Sequence, residues 1–271
     1  MSPPESEDYT SDLWQPLCQM RRFLVHRLLC VTAHPDDEAG AFGGSLVLYA
    51  LRGVQTNLIC LTPGQAATHR GGARSDRELS DMRRRELAVS AQLLKISQFE
   101  VLNYPDARLD RLDFYSVVAD LTRRIRHIRP HVVLTMGPEG AITAHHDHSM
   151  VSLFTTLAYH WAGRSNRFPE QLQGGLTPHG AQKLYYGTAT FTLPDRQPVS
   201  LPPVTATIEI GSLLETKIQA FKQHTSQSPL FAMFENAVRQ RGHKETFHLA
   251  AAITPRRITM ETDLFEGVND D

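Results

Sequence analysis

The sequence of 271 residues contains no apolar run that approaches the roughly 18 residues needed to cross a membrane. The stretch FLVHRLLCV is interrupted by a histidine and an arginine, so it makes a poor core for a signal peptide. Cysteine is also scarce. The three residues Cys18, Cys30 and Cys60 show no CxxC spacing, and two of them lie in apolar runs where a reduced thiol behaves as a small hydrophobic side chain. These absences predict a protein of the reducing cytoplasm.

Neither sign of charge dominates the sequence. The chain has 28 lysine and arginine residues against 29 aspartate and glutamate residues, which gives a formal net charge of −1 at pH 7. A balanced chain creates no overall field that would attract nucleic acid or an anionic membrane surface. We therefore expect a small-molecule partner, no nucleic acid and no membrane, in a protein that is compatible with homo-oligomer formation.

Three common catalytic and nucleotide-binding motifs are also absent. The sequence has no GxSxG motif, no GxxxxGK[ST] loop and no GxGxxG after its first predicted strand. The main signals of serine hydrolases, phosphate-loop NTPases and dinucleotide-binding proteins are therefore missing.

Short apolar runs alternate with longer amphipathic segments, which is the pattern of an α/β fold around a mostly parallel sheet. Strands are predicted at 27–32, 56–62, 99–104 and 131–136, and helices at about 38–51, 76–94 and 114–128. The continuous apolar character of TNLICLT indicates a sheet covered on both faces. The predicted fold class is α/β, with a Rossmann-like, mostly parallel sheet and helices on both faces.

The rest of the chain gives weaker signals. Residues 1–24 are predicted to be a flexible N-terminal tail, and 25–271 a single α/β domain, because we find no internal repeat and no convincing linker. Toward the C terminus, a strand is expected at 205–210, followed by a helix capped by Ser212. A last helix is expected after Pro229.

Two polar clusters follow the first and fourth predicted strands. The first is AHPDDE, and the second is TAHHDHS at 143–149. Because the carboxyl ends of parallel strands meet at one edge of a sheet, these clusters are expected to be neighbours. His34 and Asp37 could together reach one zinc ion, with a third ligand from His145, His146 or His148. Asp36 would then be free to act as a base.

The alternative interpretation needs no metal. The three consecutive acids could simply complement the positive end of the following helix, with Asp37 as its cap. Either cluster alone would favour this solvated helix start. Two such clusters at the same sheet edge favour a metal site.

Four motifs resemble the PIG-L/LmbE-like family, whose members are zinc-dependent de-N-acetylases of N-acetylglucosaminyl compounds. The motifs are AHPDDE, HHDHS in place of the family's HPDH, YPDARL in place of its YPDG turn, and KIQAFKQHTSQ in place of its K…A…HxSQ helix end. They occur in the family's order between about residues 28 and 228. The resemblance therefore covers most of the chain.

The resemblance implies a role for each matching residue. The implied zinc ligands are His34, Asp37 and His148. Asp36 would be the general base, and a protonated His145 would stabilise the tetrahedral oxyanion. Arg83 and Asp106 would contact the substrate, and Asp147 would be a carboxylate behind the ligands that orients a histidine.

The sequence also departs from the family pattern. His146 replaces the usual proline, Gln65 stands where members carry an acid, and Ile142 and Thr143 occupy the region of a tyrosine found in some members. His224, in HTSQ, has two readings left open: a hydrogen bond near the pocket, or a helix end.

The expected function is a hydrolase that uses Zn²⁺, or another divalent metal, to remove acetyl from an N-acetylglucosamine-type substrate. The products would be acetate and a free amine. One alternative is an amidase that acts on a larger thiol or sugar conjugate through the same metal site. A second alternative is a non-catalytic, carbohydrate-binding relative.

Overall fold

The structure is a computed structural model that describes residues 25–192, 199–255 and 257–269. The predicted tail lies outside the described residues, and a single domain beginning at residue 25 stays a prediction. Within the described ranges, seven strands form one sheet in the order β3-β2-β1-β4-β5-β7-β6. The strands are β1 (Arg27–Thr32), β2 (Gln55–Cys60), β3 (Gln98–Val101), β4 (Val132–Met136), β5 (Lys183–Thr188), β6 (Ala206–Glu209) and β7 (Lys244–Ala252).

The sheet has a topological switch point beside its first strand. Strand β1 pairs in parallel with β2 on one side and with β4 on the other. The chain therefore builds one half of the sheet, then crosses back and builds the other half. Strands β3 and β5 extend the parallel part, whereas β7 is antiparallel to both β5 and β6. Ligands of such sheets bind in the crevice outside the carboxyl ends of the two strands at the switch, here β1 and β4.

Two hydrophobic clusters cover the faces of the sheet, and β1 contributes to both of them. Leu28 and Cys30 belong to one cluster, and Leu29 and Val31 to the other. This division follows from the period of two along a strand, which turns successive side chains to opposite faces. A strand that is buried on both sides needs a continuous apolar run, and RLLCVT supplies one.

The helices form a layer on each face. Helices α1 (Asp37–Leu51), α2 (Asp76–Leu93) and α6 (Leu214–Phe221) share one hydrophobic cluster, and α3 (Phe114–Ile128) and α4 (His146–Ala162) share the other. The described chain also contains α5 (Pro169–Gln173) and α7 (Phe231–Arg241). None of these helices is long and apolar enough to cross a membrane.

A buried ion pair fastens the middle of α1 to the C-terminal half of the chain. Glu245 on β7 accepts hydrogen bonds from the backbone N–H groups of Gly44 and Ser45, each at 2.8 Å. Its charge is matched by Lys217 on α6, whose Nζ lies 2.5 Å from the same carboxylate. Three distant parts of the chain therefore meet at one buried carboxylate.

The fold class predicted from the sequence is confirmed, and the four N-terminal strands lie within a few residues of their predicted bounds. The predicted cap of α6 is wrong. Ser212 lies in a 3₁₀ turn at Gly211–Leu213, and the residue before the helix, Leu213, makes no capping hydrogen bond through its side chain. Strand β7 was not predicted, because KETFHLAAA combines charged, aromatic and small residues without a continuous apolar run.

Gly44 gives a test of how closely α1 packs against the C-terminal part of the sheet. A Cβ atom at this position would lie 2.3 Å from Cδ1 and 2.9 Å from Cβ of Ile210. We expect Gly44→Ala to lower the free energy of unfolding by about 1–3 kcal/mol, because overpacking forces neighbouring atoms apart. Urea denaturation would measure this change in the free energy of unfolding.

Gly40 on the same helix is the matched control. A Cβ atom there would lie 3.5 Å from the Phe221 ring, which is ordinary contact. Gly40→Ala should be neutral or stabilise the protein by up to about 1 kcal/mol, since alanine costs less backbone entropy than glycine in a helix. Equal effects of the two substitutions would contradict the proposed clash at Gly44.

Candidate metal centre and active site

The switch point brings the two polar clusters together. The turn after β1 carries His34, and the first turn of α4, which follows β4, carries His148. Their ring centroids are 5.4 Å apart, and the ring of His145 lies 4.8 Å from that of His34. Residues separated by more than 100 positions in the sequence thus share one buried crevice at the edge of the sheet.

Asp37 lies between the two histidines. Its Oδ1 is 3.1 Å from Nε2 of His148, and its Oδ2 is 3.6 Å from Nδ1 of His34. The Asp37 Oδ2 atom also accepts hydrogen bonds from the backbone N–H groups of Ala33 and His34, at 3.2 and 2.9 Å. The carboxylate is therefore fixed by its own turn, with one oxygen directed at the histidine of α4.

Carboxylates occupy the far side of the His34 ring. Nε2 of His34 is 3.0 Å from Asp106 Oδ1 and 3.3 Å from Asp147 Oδ2. Burial lowers the pKa of His34, but the hydrogen bonds to these carboxylates outweigh it and set the pKa well above its usual range. A histidine held at one nitrogen by a carboxylate presents the other nitrogen in a fixed direction, as metal-binding histidines commonly do.

The carboxylates behind His34 also hold neighbouring loops. Asp147 accepts hydrogen bonds from the backbone N–H groups of Ala107 (2.7 Å) and Leu109 (3.2 Å). Asp106 accepts one from the backbone N–H of Ala66 at 2.7 Å. Asp147, predicted to orient a histidine, lies against His34, and its role in orienting that ring stays a prediction. Asp106, predicted to contact substrate, orients the same ring in this structure.

The two remaining histidines of the second cluster differ in their surroundings. His146 is exposed, stacks on His145 at 4.8 Å and has its Nε2 3.3 Å from Asp147 Oδ1. His145 is half-buried, and its Nδ1 accepts a hydrogen bond from the backbone N–H of Asp147 at 3.2 Å. With Nδ1 as an acceptor, the ring carries its proton on Nε2. Burial, together with the charges of His34 and His148, lowers the pKa of His145 to about 4.

These donors fit a divalent metal ion. Zinc takes imidazole nitrogen and carboxylate oxygen at about 2.0–2.2 Å, which puts neighbouring ligand atoms of a tetrahedral site about 3.4 Å apart. The separations of 3.1 Å from Asp37 Oδ1 to His148 and of 3.6 Å from Asp37 Oδ2 to His34 are close to that spacing, each on a different oxygen of the carboxylate. The ligand atoms of His34, His145 and His148 also lie within 4.8 Å of one another. The described residues thus contain a His/Asp group that can hold a metal ion.

Asp36 has an unusual backbone, and its carboxylate is not used to cap the helix. Its φ of 112° lies in the left-handed region, and although it is the N-cap residue of α1, its side chain makes no capping hydrogen bond. Burial raises the pKa of Asp36 to about 6, against the lowering effect of Arg83. The predicted alternative role of Asp37 as the cap of α1 is wrong, since Asp36 is the N-cap residue and Asp37 bonds to residues before the helix.

Arg83 is almost fully buried, with 3% of its surface exposed. Its guanidinium donates hydrogen bonds to the carbonyl oxygens of Pro35 and Gly64 and to Asp36 Oδ2, the last two at 3.0 Å. The substrate contact predicted for Arg83 stays a prediction. In this structure it holds the loops after β1 and β2 together and fixes the Asp36 carboxylate.

A buried network behind the active-site turn was not predicted from the sequence. His224 Nε2 lies 2.7 Å from Oε1 of Glu38, and Ser90 Oγ donates to the same oxygen at 2.6 Å. The position of His224 thus agrees with the first reading left open for it, a hydrogen bond near the pocket. Arg83, Glu86 and Ser90 are spaced by three and four positions on α2, so one face of this helix supplies all three. That spacing, together with the HTSQ motif, was the available signal.

Glu86 holds the HTSQ segment in place. Its carboxylate accepts hydrogen bonds from Thr225 Oγ1 at 2.8 Å, and from the backbone N–H and hydroxyl of Ser226 at 2.6 and 2.7 Å. Gln227 donates to the carbonyl oxygen of His69 at 2.9 Å. The C-terminal half of the chain is therefore part of the wall of the crevice.

Comparisons with known proteins agree with this arrangement. The curated relatives include the 1D-myo-inositol 2-acetamido-2-deoxy-alpha-D-glucopyranoside deacetylase 2 of Catenulispora acidiphila, which is 27% identical over 89% of this chain and 97% of the relative. A mycothiol S-conjugate amidase of Streptomyces coelicolor is 28% identical over 59% of this chain and 60% of its own.

A solved structure with the same fold is the N,N'-diacetylchitobiose deacetylase of Pyrococcus horikoshii in complex with its inhibitor MPG. It superimposes with a TM-score of 0.68 at 25% identity, and the match covers 84% of this chain and 86% of that one. Residues 29–159 match the model of the family described as PIG-L, GlcNAc-PI de-N-acetylase. Residues 29–159 of this chain thus belong to the PIG-L family, which confirms the resemblance predicted from the motifs.

Proposed function

We propose that this protein is a metal-dependent deacetylase that hydrolyses the acetamide of an N-acetylglucosamine-type substrate. The observation that carries the proposal is the turn at residues 34–37. It presents His34 and Asp37 to His148 and, from the same turn, a carboxylate at Asp36 that is not used to cap the helix. Deacetylases of amino sugars among the relatives and solved structures support the acetyl group as the part removed.

The proposed ligands are His34, Asp37 and His148, with zinc as the preferred ion because the donor set is imidazole and carboxylate. A bound divalent ion polarises the acetamide carbonyl and lowers the pKa of water toward about 7. Nδ1 of His148 is 3.3 Å from the hydroxyl of Thr143, and this contact fixes the direction of its other nitrogen toward Asp37. In each histidine ligand, one ring nitrogen therefore contacts a neighbouring side chain, and this contact fixes the direction of the other nitrogen.

Asp36 acts as the general base. It takes a proton from the attacking water as the new C–O bond forms, and it returns that proton to the sugar nitrogen as the C–N bond breaks. The products are acetate and the free amine. Such proton transfer contributes roughly 10²–10⁴-fold to the rate. Arg83 keeps Oδ2 of Asp36 in one place throughout, at 3.0 Å from its guanidinium.

His145 stabilises the oxyanion of the tetrahedral intermediate. Its Nδ1 is already occupied by the backbone N–H of Asp147, so Nε2–H is the group available to donate. A neutral imidazole suffices for this role. Burial and the charges of two neighbouring histidines favour this neutral form over the protonated form expected from the sequence.

An amidase that cleaves a larger conjugate is the second candidate. It is favoured by the similarity to the Streptomyces coelicolor enzyme, which matches a smaller part of this chain than the deacetylase relative does. The same turn and the same ion would serve either reaction, because both break an amide bond.

Zinc as the resident ion and a cytoplasmic location also stay predictions.

The first prediction tests the reaction itself. Purified protein loaded with zinc should release acetate from N-acetylglucosaminyl inositol or diacetylchitobiose, measured by an enzyme-coupled acetate assay. Asp36→Ala should lower kcat by at least about 10²-fold while the metal content stays near that of the unaltered protein. Hydrolysis of a glucosaminide whose nitrogen carries a larger acyl group, with no acetate released from the N-acetyl substrates, would favour the amidase instead. Retention of most activity by Asp36→Ala would show that another group is the base.

The second prediction separates the histidines of α4. His148→Ala should weaken zinc binding by more than the roughly 10–100-fold lost when an outer carboxylate is removed, because it deletes a ligand. His146→Ala is the matched control, two residues away and exposed, and should bind zinc as before. Competition with a chromophoric chelator measures both affinities. The reverse order of effects would assign the ligand to His146.

The third prediction concerns His145. His145→Ala should lower kcat by about 10²–10³-fold and leave KM nearly unchanged, because an oxyanion contact strengthens in the transition state. Metal analysis of the same samples is the control, and the zinc content should not fall. A loss of zinc would make His145 a ligand rather than an oxyanion donor.

A further inference from the structure

The backbone of Asp36 is held in a conformation that aspartate rarely adopts. N-cap residues usually have extended backbone angles, and their side chains accept a hydrogen bond from the first turn of the helix. Asp36 has a φ of 112° and makes no such bond. Strained conformations of this kind persist only where the surrounding structure imposes them, and they cluster at functional sites. The groups that impose this one can be identified.

Both ends of the peptide unit between Pro35 and Asp36 are hydrogen-bonded to buried charged side chains. The N–H of Asp36 donates to Oε2 of Glu38 at 2.9 Å, and the carbonyl oxygen of Pro35 accepts a hydrogen bond from Arg83. Because the peptide unit is planar, fixing its two ends fixes its orientation and constrains φ of Asp36. We call this pair of side chains, Glu38 and Arg83, the clamp of the Pro35–Asp36 peptide.

Glu38 needs partners to work as half of this clamp, because it is completely buried. An unpaired carboxylate in that position would be strongly disfavoured. Its other oxygen, Oε1, receives hydrogen bonds from Ser90 and His224, at 2.6 and 2.7 Å. His224 is also completely buried and lies 186 positions further along the chain.

The clamp determines where the Asp36 carboxylate points. With the usual extended backbone, this carboxylate would be free to bond to the N–H groups of α1. In the clamped conformation, Oδ2 of Asp36 lies instead 3.0 Å from the guanidinium of Arg83. The Asp36 side chain is then 18% exposed. The backbone conformation thus places the carboxylate beside Arg83 rather than against the first turn of α1.

We infer that His224 is a positioning residue for the reaction: through Glu38 it holds the Pro35–Asp36 peptide, and so aims the carboxylate of Asp36. The inference rests on the proposed function for its catalytic consequence. Its structural part, that His224 controls the backbone of residue 36, can be tested without any activity. The competing explanation is that His224 only stabilises the fold.

The structure supplies a matched control for that competing explanation. Lys217 and Glu245 repeat the arrangement of His224 and Glu38: a buried carboxylate accepts backbone N–H groups at α1 and is paired with a buried donor from the C-terminal half. This second pair contacts the middle of α1, at Gly44 and Ser45, rather than the active-site turn. Lys217→Met therefore removes the same chemistry at a distance from Asp36.

The test compares His224→Leu, His224→Gln and Lys217→Met with the unaltered protein, all loaded with zinc. The readouts are a crystal structure, metal content, thermal midpoint, and kcat and KM for acetate release. In His224→Leu we expect φ of Asp36 to leave the left-handed region and kcat to fall by about 10²-fold, the loss typical of a misplacement near 1 Å. KM and metal content should stay unchanged.

The two other variants separate positioning from stability. His224→Gln retains a donor for Glu38 and should restore most of kcat and the backbone angle. Lys217→Met should lower the thermal midpoint while kcat, φ of Asp36 and metal content stay as in the unaltered protein. Equal losses of kcat in His224→Leu and Lys217→Met would overturn the inference, as would an unchanged backbone at residue 36 in His224→Leu.

Two further outcomes are also decisive. If the unaltered protein releases no acetate from any substrate, the proposed function fails, and the backbone angle in the crystal structures still decides whether the clamp exists. If His224→Leu does not fold, Ser90→Ala replaces it, since Ser90 donates to the same oxygen of Glu38. A smaller fall in kcat at constant KM would then support the clamp, and an unchanged kcat would overturn it.

Discussion

The geometry of the site depends on His34, whose two ring nitrogens contact different groups on opposite sides of the ring. On one side, Nε2 meets two carboxylates that are themselves bonded to backbone N–H groups of other loops. On the other side, Nδ1 faces Asp37. A single imidazole therefore joins the loops after β1, β2 and β3 to the start of α4. The direction of the proposed metal ligand follows from this arrangement, and so does the closeness of the polar clusters.

Burial of so many acids in one turn is tolerated because each has a different set of partners. Asp37 is bonded to its own backbone and faces His148, Asp36 is paired with Arg83, and Glu38 is paired with His224. Like charges on neighbouring residues repel, and burial in low dielectric adds to the cost. The turn can therefore exist only within a shell of basic groups contributed by α2, α4 and the segment after α6.

The predictable part of the molecule is the part with strong local signals. Strand β1 was predictable because a doubly covered strand needs continuous apolar residues, and the nearness of His34 and His148 followed from the rule for the edge of a parallel sheet. The pairing of Glu38 with His224 was not predictable. In its own segment, each residue is equally well explained as part of a helix end. Only the packing of α6 against α1 and α2 brings the two together. Strand β7 was missed for a related reason, since its place is set by β5 and β6 rather than by its own pattern.

The tie between α1 and Glu245 has a consequence for how the chain can be divided. The family match ends at residue 159, which suggests a convenient point at which to shorten the protein. A fragment ending there would lose Glu245, and the amide groups of Gly44 and Ser45 would lose their acceptor within the core. The segment that the family model matches is thus joined to the rest of the molecule through its first helix, where two amide groups are satisfied by a side chain about 200 positions further along the chain.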